Sequence, residues 1–289
     1  MRHFVFAFLI ALVCAGQNRT RSFSGAEALS LTGKAVAFGP RPDGSPAVVK
    51  LRAWIRQQLA GCGCEVSGDA FTATTPEGPL EMENIIAKFP GKSGRAIAIT
   101  GHFDTKKMTG FVGANDGGSS TGFLLEMAAV LKARPHPDDI YLVFFDGEEA
   151  VRDWSETDSV YGSRHLAKKW TADGTNQRLK ALINVDMIGD KNIQMMWDTN
   201  SANSLRVQFW NAGDSLGFGQ YFPREGGPIE DDHMPFIDEG VPALDVINFA
   251  SQGTFWHTPK DTMDKLSARA FEVVGSVLLK VLGELEAQQ

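Results

Sequence analysis

Val143-Phe144-Phe145-Asp146-Gly147-Glu148-Glu149-Ala150 decides how the chain is read. An apolar β-type run, Ile140 to Phe145, stops at a glycine and delivers two adjacent carboxylates. Successive side chains of extended backbone point to opposite sides, so Glu148 and Glu149 are expected to act differently. One can hold a cation while the other stands beside it as a proton carrier.

On either side of this stretch the chain alternates strand-like and helix-like segments. Helical spacing predicts helices over Ala26 to Ala37, Ala47 to Leu59, Ser119 to Lys132, Tyr161 to Trp170, Ser201 to Ala212 and Ala268 to Leu285. Apolar or alternating runs predict strands over Glu65 to Phe71, Asn84 to Phe89, Ala96 to Thr100, Ile140 to Phe145, Ala181 to Val185 and Leu244 to Phe249. Pro76-Glu77-Gly78 reads as the turn between the first two, and Gly39-Pro40-Arg41-Pro42-Asp43-Gly44-Ser45-Pro46 as a rigid loop. This order predicts an α/β protein with three αβα layers, its mixed and mostly parallel central sheet flanked by helices. No linker divides it, so residues 25–289 are expected to form one domain.

The bulk properties narrow the function. A net charge of -7 argues against a nucleic-acid binder, whose phosphate contacts need a basic face. Arg2-His3 followed by the apolar run Phe4 to Val13 reads as a signal peptide over residues 1–16, and residues 17–24 as a flexible linker. An exported chain, periplasmic or secreted, without a transmembrane span is therefore expected. A lipid anchor on Cys14 is the lesser reading, because Val13 sits where such signals prefer a small residue. Cys62 and Cys64 lack the further ligands a structural zinc site needs and read as small residues closing a helix.

Polar residues gather at the expected strand ends. His102 and Asp104 follow the third strand, Asp116 lies in the next loop, Glu148 and Glu149 follow the fourth, Asp186 closes the fifth, and His257 lies beyond the sixth. In a parallel sheet these ends share one rim, where open α/β folds bind ligands. Oxygen and imidazole donors without thiolates suit zinc. Any one of these residues alone would read as a surface carboxylate or a satisfied polar group; their shared placement argues otherwise. His165 (mid-helix) and His136 (in a proline-bounded loop) read as structural, whereas His233 is open between supporting the site and anchoring a loop. Trp154 follows the glutamate pair and Trp256 precedes His257, which suggests pocket walls for a small amide or apolar group.

Gly101-His102-Phe103-Asp104, Gly113-Ala114-Asn115-Asp116, Glu148-Glu149, Asp186 and Trp256-His257-Thr258 resemble the zinc-aminopeptidase fold. Within that fold, Phe144 to Ala150, Trp154-Ser155, Asp158 to Ala167 and Asp231-Asp232-His233-Met234-Pro235-Phe236 resemble the animal-type glutaminyl cyclases. The resemblance implies a zinc-dependent enzyme that converts the N-terminal glutamine of peptides or proteins to pyroglutamate. It implies Asp116, Glu149 and His257 as ligands of one zinc and Glu148 as general acid/base. It further implies Asp186 and Asp231 hydrogen-bonded around Glu148, with Trp154 and Trp256 as pocket aromatics. The chain departs from the mammalian pattern at Glu230, where a glutamine stands, and at Asp245, near a pocket histidine. Gly101 and Ser120 or a neighbour replace two bridging cysteines. Two other readings use the same residues. In a two-zinc aminopeptidase, His102 and Asp186 would complete a second metal site. A non-catalytic exported binding protein would need a broken ligand set, and none is broken.

Overall fold

The computed structural model describes residues 21–288. The signal peptide expected over residues 1–16 therefore lies outside the described residues, as do positions 17–20 of the expected linker. The rest of that linker is anchored. Phe23 is buried with its ring 4.7 Å from Phe123, and Glu126 takes hydrogen bonds from Arg21 and from the Ser24 backbone.

Helices α1 (Gly25–Val36) and α2 (Pro46–Leu59) lead into the hairpin β1 (Glu65–Thr75) and β2 (Gly78–Phe89). The order continues β3 (Ala96–His102), α3 (Gly118–Lys132), β4 (Asp139–Phe145), α4 (Tyr161–Ala172), β5 (Leu179–Asp186) and α5 (Asn203–Ser215). It closes with a short α6 (Met234–Asp238), β6 (Ala243–Ile247) and α7 (Ala268–Ala287). Local chemistry sets the starts: Ser24, Ser45 and Ser267 each accept a backbone N–H of the first turn, and Pro46 supplies the preset φ after Ser45.

The six strands lie in the order β1-β2-β4-β3-β5-β6. The β4/β3, β3/β5 and β5/β6 pairs are parallel, while β1/β2 and β2/β4 are antiparallel. Chain direction across the sheet reverses at β3: α3 carries the chain to β4 on one side, and α4 carries it back over to β5 on the other. Right-handed crossovers running in opposite directions must use opposite faces. Accordingly α3 packs with α1, α2 and α7, and α4 packs with α6. Alternate strand residues feed the two cores. Ile97, Ile99, Leu142, Phe144, Ile183 and Val185 join the thick layer, while Ala98, Val143, Phe145 and Leu182 join Leu166, Trp170 and Phe236 in the thin one. Each large side chain so buried contributes about 1.5–3 kcal/mol. The crevice beyond the carboxyl end of β3, where the connections diverge, is the ligand position of such sheets. His102 ends that strand.

Candidate active site

Each site residue arrives by a local turn that its neighbours enforce. Gly147 has φ 68°, and a Cβ there would lie 2.6 Å from the Met82 sulfur, so only glycine lets β4 turn sharply into Glu148-Glu149. The Asp104 carboxylate then fixes the pair, accepting the backbone N–H of Glu148 at 3.2 Å and of Glu149 at 3.1 Å. Asp261 does the same for the next loop, accepting the N–H of Asn115 at 2.8 Å and of Asp116 at 3.1 Å. Arg41, fully buried, ties these loops together. Its guanidinium donates to the carbonyls of Phe103 and Gly113 at 2.7 and 2.9 Å and also to Val112. Burial lowers its pKa to about 10 against the pull of Asp104, Asp116 and Asp261, and it remains a cation at neutral pH. Three charge-assisted bonds at about 1.5–3 kcal/mol each are enough to offset a desolvation cost of several kcal/mol.

The ligand set implied by the resemblance converges. His257 Nε2 lies 3.3 Å from Asp116 Oδ2 and 3.3 Å from Glu149 Oε1. Donor atoms of the three residues all fall within 4.8 Å of one another. Asp116 Oδ2 and both Glu149 carboxylate oxygens are buried without a hydrogen-bond partner. Leaving such oxygens uncompensated costs at least about 1–3 kcal/mol each. Converging, orphaned oxygens beside an imidazole are what a zinc ion requires, so the residues fit the group. The His257 ring is held in place by Trp256, stacked at 4.1 Å, and by the edge of Phe111 at 5.9 Å. His257 itself has φ 49°, and Met187, directly after Asp186, also has φ 49°. Strained backbone of this kind persists only where the surroundings enforce it.

His102, Asp116 and Asp186 form a second convergent group. His102 Nε2 lies 3.2 Å from Asp116 Oδ1 and 3.1 Å from Asp186 Oδ1, and Nδ1 lies 3.4 Å from Asp104. Both ring nitrogens thus face carboxylates. Burial pulls the pKa down, but Glu148, Asp104, Asp116 and Asp186 together hold it well above the usual histidine range.

Glu148 lines a cavity of about 360 Å³ together with Trp154, Asp186, Asp231, Trp256 and His257. Burial, then Glu149, Asp231 and Asp232, push its carboxyl well up against the opposing pull of His102. Burial and Asp186 push Asp231 up to about 7. Asp186 and Asp231 share that lining with Glu148. Asp186 also lies 3.1 Å from His102 Nε2, and Asp231 accepts from the Asn184 amide at 3.0 Å and from the Asp232 backbone. Asn184 also donates to Asp245 at 3.2 Å, which places Asp245 behind Asp231, fully buried and outside the cleft wall.

The remaining histidines divide as follows. His165 stacks on Phe71 at 4.4 Å, and His136 bonds the Leu131 carbonyl at 2.9 Å, both away from the cleft. His233 is fully buried, 3.2 Å from Asp198. Cys62 and Cys64 are free thiols. Gly101 and Ser120 stand face to face: a Cβ on Gly101 would lie 2.8 Å from that of Ser120. The loop after Glu149 is organised by Asp158, whose carboxylate accepts the backbone N–H of Val151, Arg152 and Asp153 and the Tyr161 hydroxyl at 2.7–3.0 Å. Arg41, Asp261, Asn184 and Asp158 were not singled out in the sequence. The proline-flanked arginine in a glycine-rich loop was the one available signal.

Residues 84–282 match peptidase family M28. A glutaminyl-peptide cyclotransferase of Drosophila melanogaster is 32% identical over 250 residues, 77% of this chain and 70% of the relative. The crystal structure of an Acidobacteriales bacterium glutaminyl cyclase superposes with a TM-score of 0.88 at 39% identity, covering 96% of this chain and 100% of that one. A Zn-dependent exopeptidase from Parabacteroides distasonis superposes with a TM-score of 0.81 at 27% identity, covering 91% and 99%. Together with the zinc-type donor set and the tryptophan-lined cleft, these likenesses lead to one conclusion: the chain belongs to peptidase family M28 and, within it, to the glutaminyl-peptide cyclotransferases.

Proposed function

We propose that the cleft closes an N-terminal glutamine to pyroglutamate with one zinc ion per chain, held by Asp116, Glu149 and His257, and with Glu148 as the proton carrier. The activity itself is that of a glutaminyl-peptide cyclotransferase, which releases ammonia from peptide substrates. The observation that carries the residue assignment is the set of orphaned Asp116 and Glu149 oxygens beside His257, opening into the cleft that Trp154 and Trp256 line.

When bound, zinc supplies Lewis-acid polarisation of the glutamine side-chain carbonyl. The chain's own residues do the rest. Trp154 and Trp256 wall the cleft and favour a folded glutamine, bringing its α-amine to its own side-chain carbonyl carbon. The attack is intramolecular, so orientation supplies much of the acceleration. Glu148 takes a proton from the α-amine as the new C–N bond forms. It returns that proton to the side-chain nitrogen as the old C–N bond breaks, and ammonia leaves. Asp186 and Asp231 keep the surroundings of Glu148 acidic, which favours a proton held at that place. His102, between Asp116 and Asp186, acts as a fixed bridge in this reading, and no second metal is required.

The apolar leader supports export of a single domain, residues 25–289, to the periplasm or the medium. Among the described residues no helix is long and apolar enough to cross a membrane.

Variants test the assignment. Glu149→Gln and His257→Ala are expected to lose zinc and activity together. Glu148→Gln is expected to keep zinc and fold while losing turnover by at least about 10²-fold. Zinc content by atomic absorption and ammonia release on the same preparations decide it. Full zinc in either ligand variant, or near-normal turnover in Glu148→Gln, rejects the roles.

A further inference from the structure

A second cavity of about 360 Å³ adjoins the active cleft and shares Trp154, Glu230 and Asp231 with it. The loop after Glu149 forms one wall and the start of α6, Met234 and Pro235, the other. Glu156, Glu230 and Asp238 line it, all three exposed, and none is engaged in an ion pair among the described residues. Arg164 is on the same lining and pairs with none of them: it donates to the Ser159 carbonyl at 2.6 Å and lies 5.8 Å from the Tyr161 ring centre. Lys106, on the lining of the active cleft, stands 3.8 Å from Glu149.

Cyclisation consumes only the first residue of a peptide, so the rest of the chain must leave the cleft along its surface. An extended chain advances about 3.3 Å per residue, which brings the second and third residues into a cavity sharing a wall with the first pocket. We propose that this adjoining cavity receives residues two and three of the substrate, and that Glu230, Glu156 and Asp238 select basic side chains there. The cavity, bordering the reaction pocket at Trp154, Glu230 and Asp231, defines the path; the carboxylates define the preference along it. The inference rests on the cyclotransferase reading of the cleft. Each exposed pair contributes modestly, so the combined discrimination is about tenfold and salt-sensitive.

The test compares kcat/KM for ammonia release from Gln-Arg-Arg-amide, Gln-Ala-Ala-amide and Gln-Glu-Glu-amide, at low salt and at about 0.5 M salt. The basic peptide is expected to exceed the acidic one by about tenfold at low salt, and by clearly less at high salt. In the double variant Glu156→Lys/Asp238→Lys the basic-to-acidic ratio is expected to fall to near unity or invert. The ratio is taken within each preparation, so a general loss of activity cancels, and zinc content reports an intact site. Equal kcat/KM for the three peptides, or an unchanged ratio in the double variant, overturns the inference. Ammonia from none of the three by the zinc-loaded protein overturns the cyclotransferase reading itself, and the inference falls with it.

Discussion

Asp116 and Glu149 can turn bare oxygens toward one point because other carboxylates hold their backbones. Asp104 grips the N–H groups of Glu148 and Glu149, and Asp261 grips those of Asn115 and Asp116. Asp261→Ala removes both acceptors at its loop and leaves two buried donors unpaired. Partners that orient a ligand typically matter 10–100-fold in metal affinity, so zinc binding is expected to weaken by about that factor while the fold persists. Competition against a chromophoric chelator measures it, and unchanged affinity would show the clamp to be idle. The clamp at Asp261 and the tie at Arg41 were not legible in the sequence for a physical reason. Asp261 and Arg41 act on main-chain groups, which every residue carries, so no side-chain pattern marks their partners. The residues lining the cleft were legible because carboxylates and histidines recur at successive strand ends.

Among the elements, the loop between Glu149 and α4 carries Trp154 onto the cleft wall. Asp158 fastens it, and three influences set the charge of that group. Burial pushes its pKa up, but the Tyr161 hydroxyl and three backbone N–H groups outweigh burial and hold it below the usual carboxylate range. A folded value below the unfolded one means the stabilisation is present above the unfolded pKa, about 3.9, and is lost as pH falls through the folded value. Asp158→Asn is therefore expected to be less stable than the parent between about pH 5 and 7, with the gap closing as the pH drops below about 4. Urea midpoints of both proteins across that range check it; a gap independent of pH would mean that the Asp158 charge contributes nothing. Val160, ending the same loop at φ 43°, is β-branched in left-handed backbone, further evidence that its surroundings dictate the conformation. Element by element, the longer helices were legible from their helical spacing. The β1/β2 hairpin runs further than its apolar pattern suggested: Thr72 to Thr75 alternate exposed and buried, but threonines fill most of those positions and hide the alternation. α6, five residues long, is too short for helical periodicity to show.

Across the whole molecule, one sheet with a thick helical layer and a thin one brings the carboxyl ends of β3, β4, β5 and β6 to a common rim. The reversal of chain direction at β3 opens the crevice there, and the strand-end residues fill it with acid and imidazole. Two metal-competent groups share Asp116 in that crevice, so the fold alone serves a hydrolase or a cyclase. The tryptophan-lined cleft and the loop that carries Trp154 favour cyclisation. The decisive measurement is a zinc titration of the chelator-stripped protein, with ammonia release from a Gln-initiated dipeptide and free leucine from a Leu-initiated peptide followed on the same samples. Full ammonia release at one zinc per chain, with no leucine at any loading, is the predicted result. Steady leucine release, abolished by chelation and restored only at two zinc per chain, would contradict it.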